Sequence, residues 1–259
     1  MVEKQGASSI TLIKEAQIYG VVKTRLTQRK LADYIGRIHV YDIFSGDGIN
    51  FVEGETVWGS PIEIINAIKD SHIAERKSIL FTASDIRQDA VDRLVNRING
   101  DYGFQINCKV MDAASQIKEI SLVLNSNKKD HAIVIVDPNG PGVLPFEEML
   151  NLSRKFNRRA DIFLNISETA MNRILRCGVT KDKNWWASFD NFTEIICEVK
   201  ENYRQAWVRR AIKGDRQKWR FLCFWTYAPT QRGWEKQGIK AVMTRKELEL
   251  ILMEGAEND

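Results

Sequence analysis

Little in this sequence invites a metal, a membrane or an oxidised scaffold. Its four cysteines, Cys108, Cys177, Cys197 and Cys223, are far apart and none forms a Cys-x-x-Cys pair. Three of them lie in or beside strand-like apolar runs, so they read as buried reduced thiols rather than ligands or disulfides. The three histidines, His39, His72 and His131, show no ligand spacing, and no structural or catalytic metal is expected. No run of about 18 apolar residues exists, which excludes a transmembrane helix. The first residues, Met1 to Ala7, lack the basic-then-apolar layout of a signal peptide, so a cytoplasmic location is expected. Internal repeats and low-complexity linkers are missing too, and the net charge is only +4.

What remains is an ordinary globular composition, 44% hydrophobic and 28% charged over 259 residues. That length buries one sizeable core. A single α/β domain is therefore expected, with a helical extension (1–38), a cofactor-binding half (39–166) and a substrate-side half (167–259). An amphipathic helix is expected from Val22 to about Arg37, preceded by a loosely packed segment of mixed composition.

The chain is organised around His39 to Gly48, a short apolar strand (Val40, Tyr41, Ile43, Phe44) that breaks into an acidic, glycine-rich turn. Gly46 and Gly48 remove Cβ atoms where the backbone turns and where a ligand approaches. A loop then leads to Ser60-Pro61, a helix start with serine at the cap and proline at the first helical position. Strands are read at Lys77–Ala83, Phe104–Met111, Ala132–Val136 and Ala160–Ile166, alternating with helices around Val91–Ile98, Ile117–Leu124 and Phe146–Phe156. This alternation predicts a doubly wound, mainly parallel sheet of seven strands, with helices on both faces and right-handed crossovers. Beyond Ser167 a helix around Met171–Leu175, a strand at Thr193–Val199, a helix at Tyr203–Ile212, a strand at Trp219–Tyr227, a short strand at Lys240–Met243 and a C-terminal helix at Arg245–Met253 complete it.

In such a sheet, ligands bind outside the carboxyl ends of the strands. Each of the first four strands ends in an acidic residue: Asp42 (with Asp47 beyond it), Asp85, Asp112 and Asp137. The bland alternative is that these carboxylates merely cap the following helices. Asp85, closing the second strand, can accept from two ribose hydroxyls, and Asp112 from an exocyclic adenine amine. A pyrophosphate would need a helix beginning directly after the glycines. Here about a dozen residues intervene before Ser60, and Asp42 and Asp47 would repel phosphates. The acidic turn suits a cofactor carrying positive charge, such as S-adenosylmethionine. Asp42, Phe44, Gly46, Asp47, Gly48, Ser60, Asp85 and Asp112 are thus the candidate cofactor residues. The turn Asp137-Pro138-Asn139-Gly140 is the candidate catalytic segment, in which Asp137 and Asn139 accept hydrogens from an amine nucleophile and align its lone pair; alternatively it is only a rigid loop.

Between Lys200 and Arg220 the chain is strongly basic, and Tyr203, Trp207 and Trp219 interleave with the charges. Lys200, Arg204, Arg209, Arg210, Lys213 and Trp207 are candidate nucleic-acid contacts, cations for phosphates and an aromatic face for bases. The alternative is an amphipathic helix with a solvated basic face.

This order of motifs resembles the class I S-adenosylmethionine-dependent methyltransferases. More narrowly, Asp42-Ile-Phe-Ser-Gly-Asp-Gly48, Gly59-Ser60-Pro61, Val136-Asp-Pro-Asn-Gly140 and Leu164-Asn165-Ile166 with Arg173 resemble the three-Cys-motif partner proteins. The resemblance implies a Rossmann-like core with S-adenosylmethionine as cofactor; the basic, aromatic segment points to DNA or RNA as substrate, and a protein partner is a further expectation. The chain departs from that family's Gly-Pro-Gly turn at Gly46-Asp47-Gly48 and from its Asp-Pro-Phe-Gly at Asp137–Gly140. Nor does it carry the Asp-Pro-Pro-Tyr of amino-methylating enzymes, whose aromatic stacks on a flipped base; Trp185 and Trp186 are the substitutes at hand. A methyltransferase acting on a base amino group is the leading expectation. The alternatives are a non-catalytic nucleic-acid- or partner-binding protein on the same fold, and a DNA-modification enzyme using another nucleotide-like cofactor.

Overall fold

The structure, a computed structural model, describes residues 9–28, 35–138, 143–167, 197, 203, 205–209, 212–213, 218–225 and 239–242. The chain divides into two compact units, Met1–Ile135 and Val136–Asp259. The division falls inside a strand, where the sequence shows no linker.

In the first unit, strands β1 (Arg37–Asp42), β4 (Ser78–Asp85), β5 (Gln105–Val110) and β6 (His131–Val136) form parallel ladders in the order β5-β4-β1-β6. Every residue of β6 is buried, as the continuous apolar run requires of a central parallel strand. The connecting helices are α2 (Ser60–Ser71), α3 (Gln88–Arg97) and α4 (Ala113–Ser126). Helix α1 (Ser9–Leu26) packs on α2. The segment expected to pack loosely is thus helical from Ser9; of the helix expected from Val22 to about Arg37, residues 29–34 lie outside the described residues, and Arg37 itself belongs to β1. The spacing of Ile18, Val21, Val22 and Leu26, all fully buried, explains the helix, since these residues line one helical face.

The segment expected as a loop after the glycine turn is a β-hairpin of β2 (Ile49–Val52) and β3 (Glu55–Trp58). Its two-residue connection, Glu53-Gly54, has φ of 52° and 91°, the left-handed pair that matches the twist of a tight hairpin.

In the second unit, helix α5 (Phe146–Phe156) leads into β7 (Ala160–Ser167), which is buried along its whole length. The ladders here are antiparallel, in the order β11-β8-β10-β7, with β8 at Gln205–Arg209, β10 at Lys218–Trp225 and β11 at Ile239–Val242; β9 (Ile212–Lys213) pairs with β10. The helix expected at Tyr203–Ile212 is therefore replaced by strand: ladder partners on both sides, β10 and β11, outweigh a weak local preference. Cys197, the one described residue of the strand expected at Thr193–Val199, is helical. The helices expected at Met171–Leu175 and Arg245–Met253, and Trp185 and Trp186, lie outside the described residues. The fold class is the expected one, a Rossmann-like doubly wound, mainly parallel sheet flanked by helices.

Asp112 caps α4, its carboxylate accepting from the Ser115 backbone N–H at 2.9 Å. This bond holds the Asp112 carboxyl below its usual range. A depressed folded-state pKa means that the contribution is complete above the unfolded value and is lost as pH falls through the folded one. Replacing Asp112 by alanine should cost about 1 kcal/mol of stability at neutral pH. Paired thermal melts at pH 7 and under strongly acidic conditions should show the difference from the parent protein shrinking in acid.

Candidate functional site

The carboxyl ends of β1 and β4 are held together around the glycine turn. Asp42, the last residue of β1, lies in register between Ala83 of β4 and Ile135 of β6 and is fully buried. Its carboxylate accepts from the Ser60 hydroxyl at 2.6 Å. Ser60 is therefore not the helix cap. Gly59 holds that position, and Ser60 is the first helical residue, turned inward onto Asp42. A protein carboxylate thus stands at the amino end of α2, where unpaired N–H groups and the helix dipole favour negative charge.

The hairpin also alters how the turn is read. Gly59 N–H donates to Gly48 O at 2.8 Å, so β2 and β3 leave and return to one point. Residues that are remote in sequence bring α2 directly beside the glycines. Gly48, at φ +85°, is enclosed: a Cβ there would lie 2.8 Å from Leu94 Cδ1 and 3.4 Å from Ile62 Cγ1. Gly46, at φ +57°, differs, for nothing lies within 4 Å of its would-be Cβ. Gly48 serves packing, and Gly46 leaves an open approach to the backbone.

Asp85 fixes that approach. Its carboxylate accepts from Gly46 N–H at 3.1 Å through one oxygen, and from Arg87 N–H at 2.9 Å and Arg87 Nε at 3.2 Å through the other. A carboxylate has about four lone-pair positions, so capacity for a ligand hydroxyl remains. Alongside, Ser45 N–H donates to Ser84 O at 2.9 Å. Phe44, half-buried, donates its N–H to Asp42 Oδ1 at 3.4 Å.

Asp47 behaves otherwise than its sequence position implies. It is bridged by Arg93 Nε at 3.0 Å and Arg97 Nη1 at 3.2 Å, both from α3. Two guanidinium groups offset its charge, so the turn offers less negative potential than a count of its carboxylates suggests. Asp112 is exposed and capped onto Ser115, as the bland reading of a strand-end carboxylate has it.

Two buried side chains that the sequence pattern did not single out carry open hydrogen-bonding capacity. The Ser45 hydroxyl, in the glycine turn, and both amide atoms of Gln116, in the first turn of α4, have no partner among the described residues. Neither stands out in the sequence, because a serine and a glutamine there look like ordinary polar positions.

In the second unit Asn165 of β7, itself buried, donates its amide to Asp137 Oδ1 at 2.7 Å. The bond orients the Asp137 carboxylate. Pro138 is buried, while Asn139 and Gly140 lie outside the described residues. Of the candidate nucleic-acid contacts, Trp207 and Arg209 are in β8 and Lys213 is in β9; Lys200, Arg204 and Arg210 lie outside the described residues. Among the described residues no cluster of three His, Cys, Asp or Glu side chains could hold a metal ion, and no helix is long and apolar enough to cross a membrane.

No family model matches the chain, and no curated protein matches it in sequence. Solved structures do match. A probable spermidine synthase from Corynebacterium glutamicum ATCC 13032 aligns with a TM-score of 0.50 at 9% identity, over 94% of this chain and 78% of that one. Human methyltransferase-like protein 13, in complex with S-adenosylhomocysteine, aligns at 0.48 with 12% identity, over 93% and 92%. The N-methyltransferase NodS from Bradyrhizobium japonicum WM9 aligns at 0.40 with 10% identity, over 83% and 98%. At 9% identity, the likeness to the first is one of fold.

Proposed function

We propose that this chain is an S-adenosylmethionine-dependent methyltransferase acting on nucleic acid, with a base amino group as acceptor. One observation carries the choice of cofactor: the Asp42 carboxylate stands at the amino end of α2, hydrogen-bonded to Ser60 at 2.6 Å. A phosphate placed there would meet a buried negative charge, which disfavours dinucleotides. A cofactor with sulfonium and ammonium groups meets no such repulsion.

When bound, the cofactor supplies an electrophilic methyl group. This chain's residues supply position. Gly46 leaves room along its backbone, Asp85 accepts ribose hydroxyls beside it, and Asp112 or the buried Gln116 amide addresses the adenine edge. Asp137, oriented by Asn165, accepts a hydrogen of the acceptor amine, directs its lone pair and takes up the proton it loses. Asn139 offers a second acceptor.

The test is calorimetric titration of the whole chain with S-adenosylhomocysteine, with NAD as comparator. Saturable binding of the first alone is expected; no heat at millimolar S-adenosylhomocysteine would end the proposal. The substrate is supported by the basic composition between Lys200 and Arg220, part of which lies on β8, β9 and β10. Single-stranded DNA and RNA should bind with a log Kd that rises steeply with log salt, as counterion release requires. Salt-independent affinity would remove nucleic acid from the proposal. The resemblance to the three-Cys-motif partner proteins extends the proposal to a protein partner, which co-purification would reveal.

A further inference from the structure

A pocket lies within the first unit, between α1, the hairpin and α2. It has a volume of about 490 Å³ and is lined by α1 (Leu12, Glu15, Tyr19), strand β3 (Val57, Trp58) and Glu63 of α2. That volume suits a small organic molecule. Its charged lining residues, Glu15 and Glu63, are both acidic, beside the Tyr19 and Thr56 hydroxyls. Glu15 is buried, and its Oε1 accepts from Asn50 Nδ2 at 3.0 Å and pairs with Lys14 Nζ at 3.2 Å, so one of its oxygens is already engaged. Tyr19 is engaged too, with the Lys23 ammonium 5.2 Å from its ring centre and its hydroxyl donating to Asp70.

Two groups in the pocket are not engaged in this way. The carboxylate of Glu63, half-buried, makes no hydrogen bond or ion pair with any described residue; only its backbone N–H is engaged, donating to Gly59 O at 3.2 Å. Burial raises its carboxyl above the usual range, the behaviour of a carboxylate that lacks a cation. Trp58 is 53% exposed, although its apolar bulk ordinarily favours burial. An exposed indole lining the same pocket as a carboxylate with no cationic partner among the described residues is the combination that recognises organic ammonium groups.

We propose that the pocket between α1, β3 and α2 binds a small organic ammonium compound, its cationic head against Glu63 and the Trp58 face and its apolar body along Leu12 and Val57. The ring quadrupole and the carboxylate act on the same charge, and aliphatic walls exclude water from the remainder. The inference does not depend on the cofactor reading, because none of these residues belongs to the glycine turn or to the strand-end carboxylates.

The probe is benzyltrimethylammonium, whose charge is fixed and which cannot donate a hydrogen bond. Benzyl alcohol serves as its neutral counterpart, and both are titrated into the whole chain by calorimetry. Saturable binding of the cation at millimolar or tighter Kd, and at least about tenfold weaker binding of the alcohol, is expected. Glu63→Gln keeps the shape and should weaken the cation by about fivefold or more, while leaving the alcohol unchanged. Trp58→Ala, at an exposed position, should weaken both. Equal affinity for the two probes, no saturable binding of the cation by about 10 mM, or a Glu63→Gln protein that binds the cation as before would overturn the proposal.

Discussion

An Asp85→Ala protein should bind S-adenosylhomocysteine more than about tenfold more weakly than the parent, and it should do so without unfolding. Two losses combine in this one substitution. The ribose loses its carboxylate acceptor, and Gly46 N–H loses the 3.1 Å bond that holds the turn against the end of β4. Asp85→Asn separates them. An amide oxygen can still accept from Gly46, so the turn stays in place while the charge-assisted bonds to the ribose weaken. Affinity is therefore expected to rank parent, then asparagine, then alanine. Equal affinity in all three would mean that the ligand lies elsewhere along the sheet edge. Because Asp85 is partly open to solvent, thermal stability should fall only slightly, and a melt run beside each titration checks this.

The largest change in stability is expected at Asp42. Its side chain is fully buried and satisfies the Ser60 hydroxyl at 2.6 Å and the Phe44 N–H at 3.4 Å. Asp42→Ala leaves Ser60 facing a vacant space, removes a negative charge from the amino end of α2 and creates a small cavity. Leaving buried hydrogen-bond donors without their acceptor, together with the cavity, costs about 3 kcal/mol. For a chain of this size that corresponds to a fall in Tm of roughly 6–12 °C. Ser60→Ala removes only the hydroxyl and leaves the carboxylate in place, unpaired on that side. The double variant should then be less destabilised than the sum of the singles, since both remove the same bond. Strict additivity of the two melts would show that Asp42 and Ser60 do not act as a pair.

Much of the first unit was legible because its central strands, β1 and β6, are buried almost throughout. Continuous apolar runs such as Ala132–Val136 identify themselves, and the acidic residue closing each one marks where the strand ends. What escaped were interactions between positions distant in sequence. Nothing local indicates that Ser60, apparently a helix cap, would turn inward to Asp42, or that Arg93 and Arg97 would reach back to Asp47. The hairpin was legible in principle. Glu53-Gly54 sits between Ile49–Val52 and Glu55–Trp58, two four-residue runs rich in β-branched and aromatic residues, yet the glycines on either side read as loop. In the second unit β8 was mistaken for helix because a strand in an antiparallel sheet owes its conformation to its neighbours, and five residues carry too short a pattern to announce it.

The bond between Gly59 and Gly48 has a consequence for how such a protein can diversify. The hairpin's two ends meet at a single hydrogen bond of 2.8 Å, so apart from buried Val52 and the Asn50–Glu15 bond, what lies between them is a detour that the core does not need to close. Lengthening or trimming such a detour changes loop entropy only slowly with its length. Asp42, Ser60 and the start of α2 would keep their places. The fold can therefore exchange the surface displayed there, Phe51 and Trp58 included, while the wall beneath is inherited intact.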